Sequence, residues 1–189
     1  MKAFDFAIKR EGAVSRLFRD RGIADFRSAA HFIRHLPYHR NSSRDNLSLV
    51  FTEGCGTCGS KHAVLKALAM EQGREEVRLM TGIYRMSEAN TPGVGPVLKG
   101  AGIPYVPEAH NYLRIGEAIL DVTFPQSAGG FADDLLTETS ILPHQVGTWK
   151  VAFHQEFLAE WIKHHSEGTA AEIWSIREAC IAALTRSGR

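Results

Sequence analysis

The feature that most constrains the fold of this chain is a two-residue turn. The dipeptide Gly116-Glu117 separates two runs of strand-forming residues, 110–115 and 118–124. A glycine at the first turn position suits a type II′ hairpin, whose twist matches that of the flanking strands. The turn predicts these cross-strand pairs: Ile115 with Ala118, Arg114 with Ile119, Leu113 with Leu120, Tyr112 with Asp121, and His110 with Thr123.

This register decides which polar side chains share one face of the hairpin. Because side chains alternate along a strand, we expect His110, Tyr112 and Asp121 on the same face. His110 and Asp121 are then diagonal neighbours, about 7–8 Å apart at the backbone and within side-chain reach. A slip of one residue would place them on opposite faces.

The other elements follow from hydrophobic periodicity, capping residues and turn signals. Residues 13–36 are predicted to form two helices that break near Gly22, with Asp25 capping the second. Further predicted elements are a strand at 47–51, a helix at 61–72, a strand at 77–86, a short helix at 96–102 and, after a loop rich in Gly and Pro, helices at 155–165 and 170–184. Strands and helices do not alternate regularly, so we predict an α+β fold, with one helix packed on an antiparallel sheet and flanking helices at both ends.

The length of the chain predicts a single domain. Its 189 residues lie within the usual size of one domain. We divide residues 1–189 into a helical N-terminal part (1–45), a core (46–125) and a helical C-terminal part (126–189). The apolar stripes of the last two helices are expected to be core, and they would also suit a homodimer.

Composition excludes several classes of function. The formal net charge is +1, from 22 Lys+Arg and 21 Asp+Glu, and no block of like charges marks a nucleic-acid surface. No apolar run approaches the ~18 residues of a membrane span, and the opening residues lack a secretory signal. The 3 cysteines suggest no disulfide framework. We therefore expect a cytoplasmic protein that binds neither nucleic acid nor a membrane.

A cysteine at a loop-to-helix transition is the strongest chemical signal. Cys58 follows a glycine-rich loop and precedes a predicted helix. The first turn of a helix carries a partial positive charge that stabilises a thiolate. Its N–H groups can also bind an oxyanion on an attacked carbonyl. The glycines around Cys58 leave room for a substrate; they are Gly54, Gly56 and Gly59.

The same segments resemble a known superfamily. Residues 56–73 resemble the cysteine helix of transglutaminase-like proteins, with a Gly-x-Cys opening, small and apolar residues, and a final Gly. Residues 110–114 and 119–123 resemble the histidine strand and the Leu-Asp-x-Thr strand of that superfamily. Arylamine N-acetyltransferases, on a related fold, use the same Cys, His, Asp order. The resemblance covers residues 54–124 and implies a papain-like α+β fold and a small bacterial branch of the superfamily.

The resemblance and the register together predict a catalytic triad. Cys58 would be the nucleophile, His110 the base and Asp121 the residue that orients the base. The predicted activity is acyl transfer or hydrolysis on an amide of a small molecule or peptide, without a metal or other cofactor. Three residues are predicted to contact the substrate: Tyr112, where the superfamily usually has Trp, and Glu53 and Glu108, which flank the site in sequence.

Other hypotheses use the same residues. Cys55 and Cys58 form a Cys-x-x-Cys pair at a helix start, as in thioredoxin-like redox sites. A zinc ion could be held by Cys55, Cys58, His62 and His110. His62 alone is predicted to lie on the helix surface, or alternatively to face Cys58. A further hypothesis is a transglutaminase-like binding module that has lost its activity.

Overall fold

The computed structural model describes residues 4–126, 130–165 and 168–186. Within this part, the elements are α1 (Ala13–Arg19), α2 (Phe26–His35), α3 (Leu49–Thr52), α4 (Cys58–Glu71), β1 (Val77–Met86), α5 (Gly95–Ala101), β2 (Val106–Ile115), β3 (Ala118–Leu120), β4 (Leu135–Ile141), α6 (Thr148–Trp161) and α7 (Ala170–Arg186). Short 3-10 helices lie at Ala132–Asp134, Pro143–Val146 and Ile162–His164. The strands form an antiparallel sheet in the order β3-β2-β1-β4. The predicted α+β class is confirmed.

The chain divides into two compact units, each built from separate stretches of sequence. The first unit comprises Met1–Met80, Asn111–Gly129 and Ser140–Gly147. The second comprises Thr81–His110, Gly130–Thr139 and Thr148–Arg189. The single domain over residues 1–189 stays a prediction.

The first unit is organised around α4. Nearly every side chain of this helix is buried, and a helix that is buried on all sides belongs to a core. It packs against α1, α2 and α3 and against the 3-10 helix Pro143–Val146. The core residues around it include Phe18, Ile33, Leu79, Leu113 and Val122. The first residue of α4, Cys58, is therefore held on a rigid element.

The hairpin of β2 and β3 has the predicted register in its first three pairs. Ile115 pairs with Ala118, Arg114 with Ile119, and Leu113 with Leu120. Gly116 has φ of 59° and Glu117 has no positive φ, as a type II′ turn requires. The ladder ends at Leu120, before the predicted pairs of Tyr112 with Asp121 and of His110 with Thr123, so the strand predicted to residue 124 is wrong beyond Leu120. The reason is local, because the Asp121 carboxylate accepts hydrogen bonds from Thr123 and so competes with strand pairing. The diagonal relation of His110 and Asp121, which depends on those pairs, stays a prediction.

The N-terminal helices match their prediction and are joined to α4. Gly22 breaks them with φ of 73°, and the Asp25 side chain accepts a 2.8 Å hydrogen bond from the Ser28 N–H. α1 has no capping side chain of its own. Glu71, at the end of α4, fills that role by accepting from the N–H groups of Val14 at 2.9 Å and Ser15 at 2.6 Å.

Two elements were predicted with the wrong type of secondary structure. The strand predicted at 47–51 is the short helix α3, and its first turn is preceded by Asn46, whose Oδ1 accepts from the Ser48 N–H at 3.1 Å. An apolar run of this length does not distinguish a strand from a helix. The loop predicted before the helix at 155–165 contains strand β4, whose sequence Leu-Leu-Thr-Glu-Thr-Ser-Ile alternates too weakly to indicate a strand.

In the second unit, α7 packs against α5 and α6. The predicted apolar stripes bury Leu158 of α6 and Ile173 and Ile181 of α7. Among the described residues, no helix has both the length and the apolar character that crossing a membrane requires.

Candidate functional site

Cys58 is the first residue of α4 and is almost fully enclosed. The preceding residue, Thr57, has an extended backbone, and its N–H donates to the Ser60 Oγ at 3.1 Å. The loop before it is fixed to the segment after α2, because the Gly56 N–H donates to the Pro37 carbonyl at 3.1 Å. Hydrogen bonds thus hold Cys58 at the positive end of a 14-residue helix dipole.

His62 lies one turn after Cys58 and is fully buried, so its predicted place on the helix surface was wrong. Its Nε2 accepts a 2.8 Å hydrogen bond from the Val122 N–H. That nitrogen therefore carries no proton, and Nδ1–H is the donor to the Cys58 carbonyl oxygen at 2.7 Å. His62 is a neutral bridge between the start of α4 and the segment that follows β3.

Asp121 is the first residue of that segment. Its Oδ1 accepts from the Thr123 N–H at 2.8 Å and from the Thr123 hydroxyl at 2.6 Å. Its carbonyl oxygen accepts from the Arg34 guanidinium at 2.9 Å. The His62 Nε2 lies 3.5 Å from Oδ1. Cys58 and Asp121 belong to the same unit, and His62 bonds both the Cys58 carbonyl and the N–H of the residue after Asp121.

Lys61 is a further member of this arrangement that the sequence did not indicate. It is fully buried, and its ammonium donates to the carbonyl oxygens of Leu36 at 2.6 Å and Thr123 at 2.8 Å. Burial lowers the pKa of Lys61 to about 8, although the nearby Asp121 and Cys58 oppose this shift. The sequence feature that could have indicated Lys61 is its spacing from Cys58, because residues three apart lie on neighbouring parts of a helix face.

The predicted base, His110, lies in β2 within the second unit. Its ring centroid is 4.7 Å from that of Phe131 and 6.0 Å from that of Tyr84, both in edge-to-face arrangement. The ring is half-buried. Aromatic side chains therefore limit the orientations that His110 can adopt.

The three predicted substrate contacts have different environments. Tyr112 is fully buried in the first unit, with the Arg114 guanidinium 5.9 Å from its ring centroid. Glu53 is exposed, and hydrogen bonds from Ser42 and Asn41 lower its pKa.

Glu108, in the second unit, is buried and paired with a cation. Its carboxylate accepts two hydrogen bonds from the Arg177 guanidinium, at 2.5 and 2.7 Å. Burial alone would raise the pKa of Glu108, but the charge and hydrogen bonds of Arg177 lower it to about 2. The substrate-binding roles of Tyr112, Glu53 and Glu108 stay predictions.

No protein-family model, curated protein or solved structure matches the chain. The resemblance to transglutaminase-like proteins therefore rests on residues 54–124 of the sequence alone.

Cys55 and Cys58 are free thiols in the structure. Between them, Gly56 forms a β-bridge with Tyr38, and Thr57 has φ of −90° and ψ of 177°. A redox role of this pair stays a prediction.

The proposed zinc ligands are not arranged as a metal site. Both ring nitrogens of His62 are occupied by backbone hydrogen bonds. Within residues 4–126, 130–165 and 168–186, no group of three or more His, Cys, Asp or Glu side chains could hold a metal ion.

Proposed function

We propose that the chain is a cysteine-dependent acyl-transfer enzyme with a transglutaminase-like fold. The sequence resemblance assigns the nucleophile to Cys58, the base to His110 and the orienting role to Asp121. The observation that carries the proposal is the arrangement in the first unit, where Cys58 begins a buried helix and His62 joins that turn to the Asp121 segment. A nucleophile held rigidly at a helix start is suited to attack a carbonyl group.

The reaction proceeds in two steps. His110 takes the thiol proton as the Cys58 sulfur forms a bond to the carbonyl carbon of an amide or thioester. The N–H groups of the first turn stabilise the oxyanion. As the intermediate collapses, the bond to the amine or thiol leaving group breaks, and His110 returns the proton to it. Water or an amine then releases the acyl group from Cys58, and Asp121 keeps the imidazole in the required tautomer.

Two measurements test this proposal. The first is the pH dependence of Cys58 alkylation by iodoacetamide, with the modified residue identified by mass spectrometry. The second is the burst of p-nitrophenol from p-nitrophenyl acetate, with acetyl-Cys58 as the trapped product. We expect alkylation with a midpoint well below pH 8, and a burst that is lost in Cys58→Ala.

Further variants separate the roles of the triad. His110→Gln and Asp121→Asn should lower the rate of acylation by about 100-fold or more. Cys180→Ser is the matched control, because Cys180 is a buried cysteine in α7 whose pKa burial raises to about 11. The proposal fails if Cys58 reacts only as an ordinary thiol and no acyl-enzyme forms.

One observation favours a second candidate, a binding module without catalysis. Cys58 is only 6% exposed, and a buried thiol reacts slowly with any electrophile. In that case Cys58 would resist iodoacetamide in the folded protein at every pH and would react only after unfolding.

A further inference from the structure

Lys61 and Cys58 lie on the same side of α4. A separation of three residues corresponds to about 60° around a helix and about 4.5 Å along its axis. Lys61 is fully buried, and a lysine that points inward from a helix is uncommon. Its position therefore needs an explanation beyond the packing of an aliphatic side chain.

The hydrogen bonds of Lys61 connect two segments to α4. Its ammonium donates to Leu36, the C-cap of α2, at 2.6 Å, and reaches the Arg34 carbonyl at 3.5 Å. It donates to the carbonyl of Thr123 at 2.8 Å. Thr123 closes the turn that fixes the Asp121 carboxylate. Lys61 thus holds the Asp121 turn and the end of α2 against the start of the cysteine helix.

The acceptors of Lys61 are neutral carbonyl groups, so its charge is compensated only from a greater distance. Burial lowers its pKa to about 8, and Asp121, Cys58 and Cys55 each favour its protonated form. At neutral pH the ammonium is therefore still mostly charged. Electrostatic coupling between two titrating groups is mutual, so a charged Lys61 favours the thiolate form of Cys58.

We propose that Lys61 is a positioning residue of the acyl-transfer site, whose ammonium stabilises the Cys58 thiolate while it anchors the Asp121 turn. The inference rests on the proposed function for its role in catalysis. The charged or titratable groups that surround Lys61 are Cys55 and Cys58 before it, Asp121 after β3, Arg34 on α2 and His62 beside it. Of these, only Arg34 adds another fixed positive charge.

The test isolates the charge of Lys61 from its packing. In a Cys55→Ser/Cys180→Ser background, Cys58 is the only cysteine, and its alkylation by iodoacetamide is followed from pH 5 to pH 10. Lys61→Met should raise the midpoint by about one pH unit and slow alkylation about tenfold below it. Lys61→Arg, which keeps the charge, should have a midpoint between those of the wild type and Lys61→Met. Lys66→Met is the matched control, because it removes a second buried lysine of α4 more than one turn further along the helix.

A second measurement covers the case in which Lys61→Met does not fold. In Cys58→Ser, which keeps Lys61 and removes the thiolate, the Lys61 ammonium observed by ¹⁵N NMR should lose its proton at a lower pH than in the wild type. An unchanged Lys61 titration overturns the inference, and so does an unchanged alkylation midpoint in folded Lys61→Met.

The outcomes distinguish the two proposals. If wild-type Cys58 has a low midpoint that Lys61→Met does not move, the inference about Lys61 fails while acyl transfer stands. If the midpoint moves but no acyl-enzyme forms, the electrostatic coupling stands and the acyl-transfer function fails.

Discussion

The imidazole of His62 accepts a 2.8 Å hydrogen bond from the backbone N–H of Val122. Together with its bond to the Cys58 carbonyl, this interaction makes His62 a structural bridge inside the first unit. We expect His62→Leu to lower the free energy of unfolding by about 1–3 kcal/mol, because it removes the acceptor of the buried Val122 N–H and the side-chain hydrogen bond to the Cys58 carbonyl. Urea denaturation measures the change.

A matched histidine provides the control for this prediction. His35 in α2 makes the same type of bond to the carbonyl four residues before it, at 2.8 Å, but is exposed. His35→Leu should therefore change stability little. If His62→Leu were as stable as the wild type but could no longer form an acyl-enzyme, His62 would be the base, and the role given to His110 would be wrong.

Two glycines near Cys58 should respond differently to substitution by alanine. A Cβ at Gly56 would lie 2.8 Å from the Ser60 Oγ and 3.0 Å from the Lys61 Cγ, closer than packed atoms allow. A Cβ at Gly59 would lie no closer than 3.4 Å to any neighbour. We expect Gly56→Ala to cost about 1–3 kcal/mol and Gly59→Ala to be neutral or slightly stabilising within the helix. Thermal unfolding of both variants checks this, and equal effects would contradict it.

The pair of Glu108 and Arg177 should make the protein sensitive to acid. The pKa of Glu108 is about 2 in the folded protein, below its ordinary value of 4.5. The unfolded chain binds a proton on this carboxylate more readily than the folded protein does. The contribution of the Glu108–Arg177 pair to the free energy of unfolding is therefore fully present above pH 4.5 and is lost as the pH falls towards 2. Its size is roughly 3 kcal/mol. The difference in stability between the wild type and Glu108→Gln should shrink over this range.

Glu160 is the control for Glu108. It also contacts a cation, Lys163, but on the exposed surface, where ion pairs contribute little. Glu160→Gln should therefore follow the wild-type stability curve at every pH. Parallel curves for the wild type and Glu108→Gln would contradict the prediction.

Lys61 should make the free energy of unfolding depend on pH in the alkaline range. Its pKa is about 8 in the folded protein and 10.5 ordinarily, so the unfolded chain binds more protons between these values. The contribution of Lys61 to the free energy of unfolding should thus rise by roughly 3 kcal/mol between pH 8 and pH 10.5. This rise should be missing in Lys61→Met and present in Lys66→Met, as measured by urea denaturation at each pH.

Local signals predicted the parts of the fold that local chemistry determines. The break at Gly22, the cap at Asp25 and the first three pairs of the hairpin each depend on a few adjacent residues, and the structure has all three features. Strand β4 has no comparable signal, because most of its side chains are only half-buried. Its pairing with β1 depends on tertiary contacts.

The helix start at Cys58 was predicted from the sequence, whereas the burial of Lys61 and His62 was not. The helix start at Cys58 follows from the glycine-rich loop, whose composition is visible in the sequence. The burial of Lys61 and His62 follows from helices that cover α4 on several sides. A lysine and a histidine on a helix ordinarily face water, so only the folded arrangement reveals that both bind backbone groups.

The discontinuous makeup of the first unit has a consequence for synthesis on the ribosome. Val146 belongs to the core that surrounds α4. It lies in the last stretch of the first unit, so the ribosome makes the helices and the hairpin of that unit before it. The cysteine helix therefore cannot complete its packing until residues 140–147 have left the exit tunnel. During this interval the part of its apolar surface that this segment covers stays exposed in the nascent chain, and exposed apolar surface favours aggregation.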